Sequence, residues 1–241
     1  MITVSVAEGV GLIELDRQER RNALDVEHCL GLADAVPAVI ADGARAIVVT
    51  GAGTSFCSGA DFAEVYTDGF RTALYRALRT VSAAPVPVVA AVNGPAIGAG
   101  TQLAIAADLR VGAPSAIFGV PTARIGLAVD PWTIRRLDQL AGGATARSLL
   151  LACDQVPVEL AHARGLVDRL GDRAAALALA ADLTTMAPLT LRYNKLVLER
   201  VDLAVGDPEL ESAFEGCWAS ADLREGQQAR AEKRAPVFTG R

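Results

Sequence analysis

Two turns made of small residues are the parts of this sequence whose residue types could do chemistry. Gly98, Ala99 and Gly100 follow a short apolar run at residues 86–92 and open a helix that continues to about Ala107. The first N–H groups of a helix have no partner within the helix, and small residues let a ligand approach them. The turn is therefore a candidate oxyanion hole, in which N–H donors stabilise negative charge on an oxygen.

The second turn lies about forty residues upstream, at residues 55–61. It follows a buried strand pattern at residues 46–50 and precedes a helical pattern at residues 70–81. Two such turns after parallel strands could direct two N–H groups at one carbonyl oxygen, and each donor can contribute about 3 kcal/mol to a reaction that builds charge there. The alternative is that both are ordinary tight connections between the strands and helices of a parallel sheet.

The elements that must position these turns alternate between strands and helices. Residues 2–6 and 11–15 alternate apolar and polar side chains and predict an antiparallel hairpin, and Asp25 is the natural N-cap of the following helix. Strand patterns dominate to about Phe118, and helical patterns dominate after Trp132. This order agrees with an α/β (α+β) fold.

The C-terminal part consists mainly of helical patterns whose apolar faces need a partner. A short strand is predicted at residues 165–168, after a glycine that ends a helix. Helices are predicted at residues 188–201 and 208–218, and a last one has Asp222 as its cap and runs through Lys233. We therefore predict a core domain at residues 1–187 and a helical oligomerisation module at residues 188–241.

Composition limits the classes of function. The 241 residues are 51% hydrophobic, yet no apolar run approaches the roughly eighteen residues of a membrane span. The first residues enter a strand pattern directly, without a secretory signal, which favours a cytoplasmic location. A formal net charge of −5 argues against a nucleic-acid-binding protein, since such proteins present a basic face.

Four cysteines are scattered through the chain without the spacing of metal ligands, and only two histidines could join them. We expect no metal site and no disulfides. The cysteines are predicted to be small core residues in a reducing compartment. They are Cys29, Cys57, Cys153 and Cys217.

Five segments together resemble the enoyl-CoA hydratase/isomerase, or crotonase, family. In chain order they are RRNAL, GTSFCSGADF, PVVAAVNGPAIGAGTQLAIAADLRVGAPSAIFGVP, GLAVDPWTIRRL and EGQQARAEKRAPVF. The resemblance implies a spiral of ββα units with a helical C-terminal trimerisation region, which assembles a homotrimer or a hexamer made of two trimers. The likeness is particularly to actinobacterial members that handle acyl-CoA in fatty-acid synthesis.

The resemblance also implies a site for a CoA thioester, which would be a ligand or substrate and not a separate cofactor. It assigns the oxyanion-hole donors to the backbone N–H groups of Ser58 and Ala99. It places the nucleotide end of CoA near the loop at residues 17–23, where Arg side chains suit phosphate contacts. The implied CoA-contacting residues are Arg20, Arg21, Ala23, Ala60, Asp61 and Lys233. The basic residues among them could instead form an ordinary solvated surface.

The sequence departs from the family's hydratases at two positions. Those enzymes carry one glutamate on the helix after the glycine turn and another after the FG motif, where this chain has Gln102 and Thr122. Hydration needs one group that takes a proton from water and another that gives one to the α-carbon, and neither an amide nor an alcohol titrates near neutral pH. Such acid–base catalysis is worth about 10² to 10⁴ in rate. We therefore expect weak or absent hydratase activity.

Asp130 is the remaining carboxylate to consider as a proton carrier. It aligns with an aspartate that family members isomerising dienoyl-CoA use beside a glutamate. Asp130, Pro131 and Trp132 also make a good helix start, with Asp130 as N-cap, and the two roles are compatible.

Three functions follow as hypotheses. The favoured one is an acyl-CoA-binding protein of fatty-acid metabolism, in which walls rich in Ala, Leu and Ile accept an aliphatic chain. The second is an enoyl-CoA isomerase or atypical hydratase that uses Asp130, with Gln102 positioning substrate or water. The third is an interaction subunit for an enzyme of lipid synthesis.

Overall fold

The computed structural model describes residues 1–200 and 207–241, and it is a mixed α/β structure. Its strands are β1 (Ile2–Ala7), β2 (Val10–Leu15), β3 (Ala46–Gly51), β4 (Val88–Val92), β5 (Ala96–Ile97), β6 (Leu109–Gly112), β7 (Ile117–Gly119), β8 (Gln155–Pro157) and β9 (Arg169–Leu170). Its helices are α1 (Val26–Ala41), α2 (Asp68–Ser82), α3 (Ala99–Ala106), α4 (Pro131–Arg147), α5 (Val158–Ala163), α6 (Arg173–Thr184), α7 (Pro188–Glu199), α8 (Pro208–Ala219) and α9 (Ala221–Glu232).

The larger sheet has the strand order β1-β2-β3-β4-β6-β9, and the smaller one has the order β5-β7-β8. β1 and β2 form the predicted antiparallel hairpin, and the pairs from β2 onward in the larger sheet are parallel. A parallel sheet is covered by helices on both faces, which is why its central strands are apolar runs without polar alternation. The predicted helix capped by Asp25 is confirmed as α1, where the Asp25 carboxylate accepts a hydrogen bond from the His28 N–H.

Two cores lie on opposite faces of this sheet. Ile47 and Val49 of β3 belong to the larger core, whereas Ala46 and Val48 face a smaller core that includes apolar side chains of α6. Because β3 and β4 are parallel neighbours, their carboxyl ends meet at one edge of the sheet. Both small-residue turns follow from that edge, so the sheet topology places them side by side.

The predicted strand at residues 165–168 is wrong, because the pairing begins later, at Arg169 and Leu170 in β9. The N–H groups of Leu166 and Val167 donate to the Ala161 carbonyl at 2.9 and 3.2 Å, so these residues remain part of the helix ending. The chain becomes free to join the sheet only after this turn is complete.

The predicted cap of the last helix is also wrong. Ser220 caps α9 by accepting a hydrogen bond from the Leu223 N–H at 3.1 Å. Asp222 is 4% exposed, and its carboxylate accepts from the backbone N–H groups of Thr239 at 2.7 Å and Gly240 at 2.8 Å. Its role is to hold the C-terminal segment against α9, a contact that local sequence does not reveal.

The C-terminal helices dock on the core through ion pairs. Lys195 of α7 lies 2.7 Å from the Asp108 carboxylate, and Glu199 lies 3.0 Å from Arg136 of α4. Residue 201, where sequence placed the end of this helix, lies outside the described residues. The division of the chain at residues 187 and 188 stays a prediction.

A helix with both the length and the apolar character of a membrane span is absent from residues 1–200 and 207–241. Only α6 and α7 taken together would meet that criterion, and they are bent by 113° at the break between them.

Candidate functional site

A cavity of about 160 Å³ lies where the two small-residue turns meet. Its wall includes the predicted donors Ser58 and Ala99, together with Gln102 and Thr122, the two positions at which the resemblance led us to expect glutamates. Apolar side chains of α2 and of the segment before α4 make up most of the remainder, including Leu74 and Val129. The structure thus gathers onto one cavity residues that are up to 71 positions apart in sequence, from Ser58 to Val129.

Backbone contacts fix the two turns against each other. The Cys57 N–H donates to the Pro95 carbonyl at 3.1 Å, and the Ile97 N–H donates to the Cys57 carbonyl at 3.0 Å. Gly100 is packed so closely that a Cβ there would lie 2.1 Å from the Cys57 carbonyl oxygen. Only glycine fits, and this close approach determines where the start of α3 lies relative to Ser58.

The two predicted oxyanion donors differ in their present partners. Ala99 is the first residue of α3, and its N–H has no acceptor within the described part of the chain. The Ser58 N–H donates to the Arg21 carbonyl at 3.0 Å, and the Ser58 hydroxyl donates to the Arg20 carbonyl at 3.2 Å. One donor is therefore open to a ligand, while the other is held by the loop at residues 17–23.

That loop is organised by two residues whose importance the sequence analysis missed. Arg17 lies 3.1 Å from the Asp25 carboxylate and 3.0 Å from the Asp61 carboxylate. Asn22 is 1% exposed and has a φ of 56°, and its side-chain amide donates to the carbonyls of Ala52 and Ser55. An asparagine tolerates this left-handed conformation, which is the one local signal that could have identified it.

The carboxylate of Asp61 serves as a structural anchor for the turn at residues 55–61. A hydrogen bond from the Ala63 N–H and the nearby Arg17 charge outweigh partial burial and hold the pKa of Asp61 below its ordinary value. For Asp25, burial opposes ionisation, but hydrogen bonds from His28 and the charge of Arg17 lower its pKa as well. Both groups stay ionised at neutral pH and fix the loop through Arg17.

A groove of about 360 Å³ continues from the cavity along this loop. The groove and the cavity share Ser58, Ala60 and Phe62. Five of the six residues implied to contact CoA line it, namely Arg20, Arg21, Ala23, Ala60 and Asp61. The sixth, Lys233, follows the end of α9 and is outside the described lining of both the groove and the cavity.

Few polar side chains line the cavity, and the nearby carboxylate of Asp130 is not part of its wall. Among the described residues, no aspartate or glutamate side chain lines the cavity. Asp130 occupies the N-cap position of α4, but its carboxylate accepts a hydrogen bond from the Thr133 hydroxyl at 2.5 Å. The same hydroxyl oxygen accepts from the Gln102 amide at 2.9 Å. Asp130 is therefore connected to the cavity through two other side chains.

Tyr75 and Thr133 were not identified from the sequence. Tyr75 of α2 lines the cavity, and burial, followed by the charge of Asp130, raises the pKa of its hydroxyl. It therefore remains a protonated hydrogen-bond donor across the physiological range. Thr133 lies three residues after Asp130, and this helical spacing was a signal that could have suggested their contact.

Three of the four cysteines are buried, as predicted, and Cys217 is partly exposed. Burial raises the pKa of both Cys29 and Cys57 to about 12, so their thiols are poor nucleophiles. Cys57 lies in the turn at residues 55–61, and its backbone carbonyl is packed against Gly100 at the start of α3. Groups of three or more His, Cys, Asp or Glu residues suited to a metal ion are absent from the described ranges.

Comparisons with known proteins agree on one family. The family model described as "Enoyl-CoA hydratase/isomerase" matches residues 5–241. A relative from Mycobacterium leprae named "Probable enoyl-CoA hydratase echA6" is 44% identical over 246 aligned positions, which cover all of both chains.

Solved structures show the same fold. An enoyl-CoA hydratase/carnithine racemase from Magnetospirillum magneticum matches with a TM-score of 0.90 and 31% identity, covering 100% of this chain and 96% of the other. An enoyl-CoA hydratase from Mycobacterium tuberculosis H37Rv matches with a TM-score of 0.87 and 32% identity, covering 100% and 99% of the two chains. The expected crotonase fold, with its helical C-terminal region, is thereby confirmed.

Proposed function

The chain belongs to the enoyl-CoA hydratase/isomerase family, and on that premise we propose that it binds acyl-CoA thioesters but hydrates enoyl-CoA weakly or not at all. The observation that carries this proposal is the composition of the cavity wall. In the part of the chain that the structure describes, the wall has Gln102 and Thr122 but no carboxylate. Binding through backbone donors needs no titratable group, whereas adding water across a double bond needs two proton transfers.

The thioester carbonyl oxygen accepts a hydrogen bond from the open N–H of Ala99. It also takes the place of the Arg21 carbonyl as the acceptor for the Ser58 N–H, since that donor is engaged in the unliganded chain. The acyl chain extends into the apolar part of the cavity, beside Leu74 and Val129. Displacing one carbonyl by another exchanges similar hydrogen bonds, so this step costs little free energy.

The remainder of CoA follows the groove at residues 17–23. Arg20 and Arg21 meet its phosphates there, because a guanidinium group donates to phosphate oxygens in a bidentate manner. Glu19 and Asp61 also line this groove, so its charge is mixed, and the arginines must outweigh the two carboxylates. Lys233 would add a third basic group if the C-terminal region of this or another subunit brings it close.

Hydration places the water oxygen on the β-carbon and a proton on the α-carbon. Gln102 and Thr122 can hold water by hydrogen bonds, but at neutral pH neither accepts its proton nor supplies one. The bound enoyl thioester is therefore polarised without being attacked. Loss of both acid–base groups leaves the rate lower by roughly 10² to 10⁴ for each role that is lost.

Calorimetric titration with butanoyl-CoA and crotonyl-CoA tests binding, and the ultraviolet absorbance of the conjugated enoyl thioester follows hydration. We expect both ligands to bind and crotonyl-CoA to persist. The double variant Gln102→Glu with Thr122→Glu should hydrate at least about 10²-fold faster than the wild type, and Gln102→Glu alone serves as the control. Rapid hydration by the wild type, or an inactive double variant that still binds butanoyl-CoA, would contradict the proposal.

A second function, enoyl-CoA isomerisation or atypical hydration with Asp130 as proton carrier, is favoured by one observation. The hydrogen bonds from Gln102 to Thr133 and from Thr133 to Asp130 connect this carboxylate to the cavity. Mass spectrometry and chromatography of enoyl-CoA incubations would reveal turnover. Turnover that Asp130→Asn abolishes would establish this second function in place of the first.

The assembly proposed with this function is a homotrimer, or a hexamer of two trimers, in the cytoplasm. The apolar surface of the C-terminal helices supports it, because Trp218 is 61% exposed and Phe214 is 41% exposed in the single chain. Light scattering after size exclusion should give three or six times the 25.0 kDa chain mass. An enzyme of lipid synthesis that occupies this surface is the alternative, and a stable monomer in solution would favour it.

A further inference from the structure

A continuous chain of hydrogen bonds joins three side chains behind the cavity. The Gln102 amide of α3 donates to the Thr133 hydroxyl of α4 at 2.9 Å, and that hydroxyl donates to the Asp130 carboxylate at 2.5 Å. Gln102 is 4% exposed, and Thr133 is 0% exposed. Bulk water therefore competes poorly with these bonds, and the arrangement is held within the protein.

The chemistry of the three groups fixes the direction of every bond. The Thr133 hydroxyl donates to a carboxylate oxygen of Asp130, so the single hydroxyl proton is already committed there. The Thr133 oxygen is then left as an acceptor, which only the NH₂ end of the Gln102 amide can satisfy. An amide whose orientation would otherwise be ambiguous is thus set with its nitrogen toward α4 and its carbonyl oxygen turned away.

That carbonyl oxygen is available to a ligand. Within residues 1–200 and 207–241, Gln102 Oε1 accepts no hydrogen bond, and no side-chain nitrogen or oxygen is both fully buried and unpaired. Oε1 must therefore have open space beside it, and Gln102 lines the cavity. The cavity wall presents one fixed acceptor on a side chain that is otherwise buried.

The position of Gln102 on α3 determines which carbon of a bound acyl chain lies nearest to this acceptor. Gln102 lies three residues after Ala99 on α3, which is about 4.5 Å along the helix axis. If the thioester oxygen lies on the Ala99 N–H, a group attached two carbons beyond the carbonyl comes within reach of Gln102. A hydroxyl at that carbon is a donor, whereas the hydrogens of a saturated or enoyl chain are not.

We propose that Thr133 and Asp130 are positioning residues, which hold the Gln102 carbonyl toward the acyl chain and make the site prefer thioesters with a 3-hydroxyl group. The inference rests on the proposed function, since it assumes a thioester bound at Ala99. A hydroxyl that pairs with Oε1 replaces the water lost on binding, whereas a saturated chain leaves the acceptor unpaired. The preference over butanoyl-CoA is about fivefold to tenfold in Kd.

The experiment is calorimetric titration with butanoyl-CoA and with each enantiomer of 3-hydroxybutanoyl-CoA. A fixed acceptor on one wall favours one enantiomer, which a general effect of polarity would not do. In the wild type, one enantiomer should bind about fivefold to tenfold tighter than butanoyl-CoA. In Thr133→Val, which keeps the side-chain shape, both the preference and the enantiomer difference should fall to near unity, while butanoyl-CoA binding is retained.

Thr145→Val is the matched control, because Thr145 is also a buried threonine of α4, at 2% exposure, and it should keep the preference. Asp130→Ala is the second variant if Thr133→Val folds poorly; it removes the acceptor of the Thr133 hydroxyl proton and should also reduce the preference. Equal binding of all three ligands to the wild type would overturn the inference alone. If Thr133→Val weakens the binding of all three thioesters equally, the inference is also overturned, because Thr133 then has only a structural role. Failure of every thioester to bind would instead refute the proposed function.

Discussion

Replacing Gly100 by alanine tests whether the close contact between the two turns creates the site. A Cβ at this position would lie 2.1 Å from the Cys57 carbonyl oxygen. Real Cβ atoms essentially never approach a neighbour closer than 3.0 Å, and ordinary van der Waals contact begins at 3.4 Å. The obstacle is backbone, so it cannot rotate away as a flexible side chain would. Either the start of α3 or the turn at Ser58 must move by about 1 Å.

The expected cost follows from this displacement. Overpacking of a close-packed interior typically costs about 1 to 3 kcal/mol, and 1 kcal/mol changes the melting temperature of a domain of this size by roughly 2 to 4 °C. We therefore expect Gly100→Ala to melt about 2 to 12 °C below the wild type. A shift of about 1 Å also misaligns the Ala99 N–H, so butanoyl-CoA affinity should fall about tenfold.

Gly216→Ala is the matched control. Gly216 lies inside α8, and a Cβ there would meet nothing within 4 Å. Alanine should be neutral or stabilising there by up to about 1 kcal/mol, because glycine is a poor helix former. Differential scanning fluorimetry and calorimetric titration measure the two quantities. A Gly100→Ala protein that matches the wild type in both melting temperature and affinity would refute the view that this contact determines the site.

Three further outcomes follow from the loop and the buried thiols. The lowered pKa of Asp61 means that its stabilising contribution is present above the unfolded-state pKa, near 4, and is lost as pH falls through the lower folded-state pKa. Arg17→Leu should therefore shift acid unfolding, followed by circular dichroism, to higher pH; an unchanged midpoint would show that the ion pair contributes nothing. Asn22→Ala removes two hydrogen bonds donated by a buried side chain and a residue that tolerates positive φ. The free energy of unfolding, measured in urea, should fall by about 1 to 3 kcal/mol. A smaller decrease would mean that water takes over the hydrogen bonds of the amide. Burial raises the pKa of Cys29 and Cys57 to about 12, so at pH 8 a thiol reagent should modify them only after unfolding, and rapid native labelling in intact mass spectra would contradict their burial.

The sequence determined the elements around the site because their signals are local. The apolar run at residues 46–50 and the capped start of α1 each depend on residues within a few positions of one another, and both are present where predicted. The small residues at positions 98–100 predicted the start of a helix with free N–H groups, and α3 does begin at Ala99. Order along the chain also placed both turns after parallel strands, which was enough to predict one site from two segments.

The tertiary structure decided which groups pair with one another. Asp130 and Thr133 are a turn apart on one helix, but their connection to Gln102 spans 31 residues, and only the packing of α3 against α4 makes it. The Ser58 N–H was predicted as a donor, yet the loop places the Arg21 carbonyl on it, 37 residues away in sequence. Local patterns fix the conformation of a segment, because hydrogen bonds and steric limits act over a few residues. The partner of a buried polar group depends instead on which segments the hydrophobic cores bring into contact.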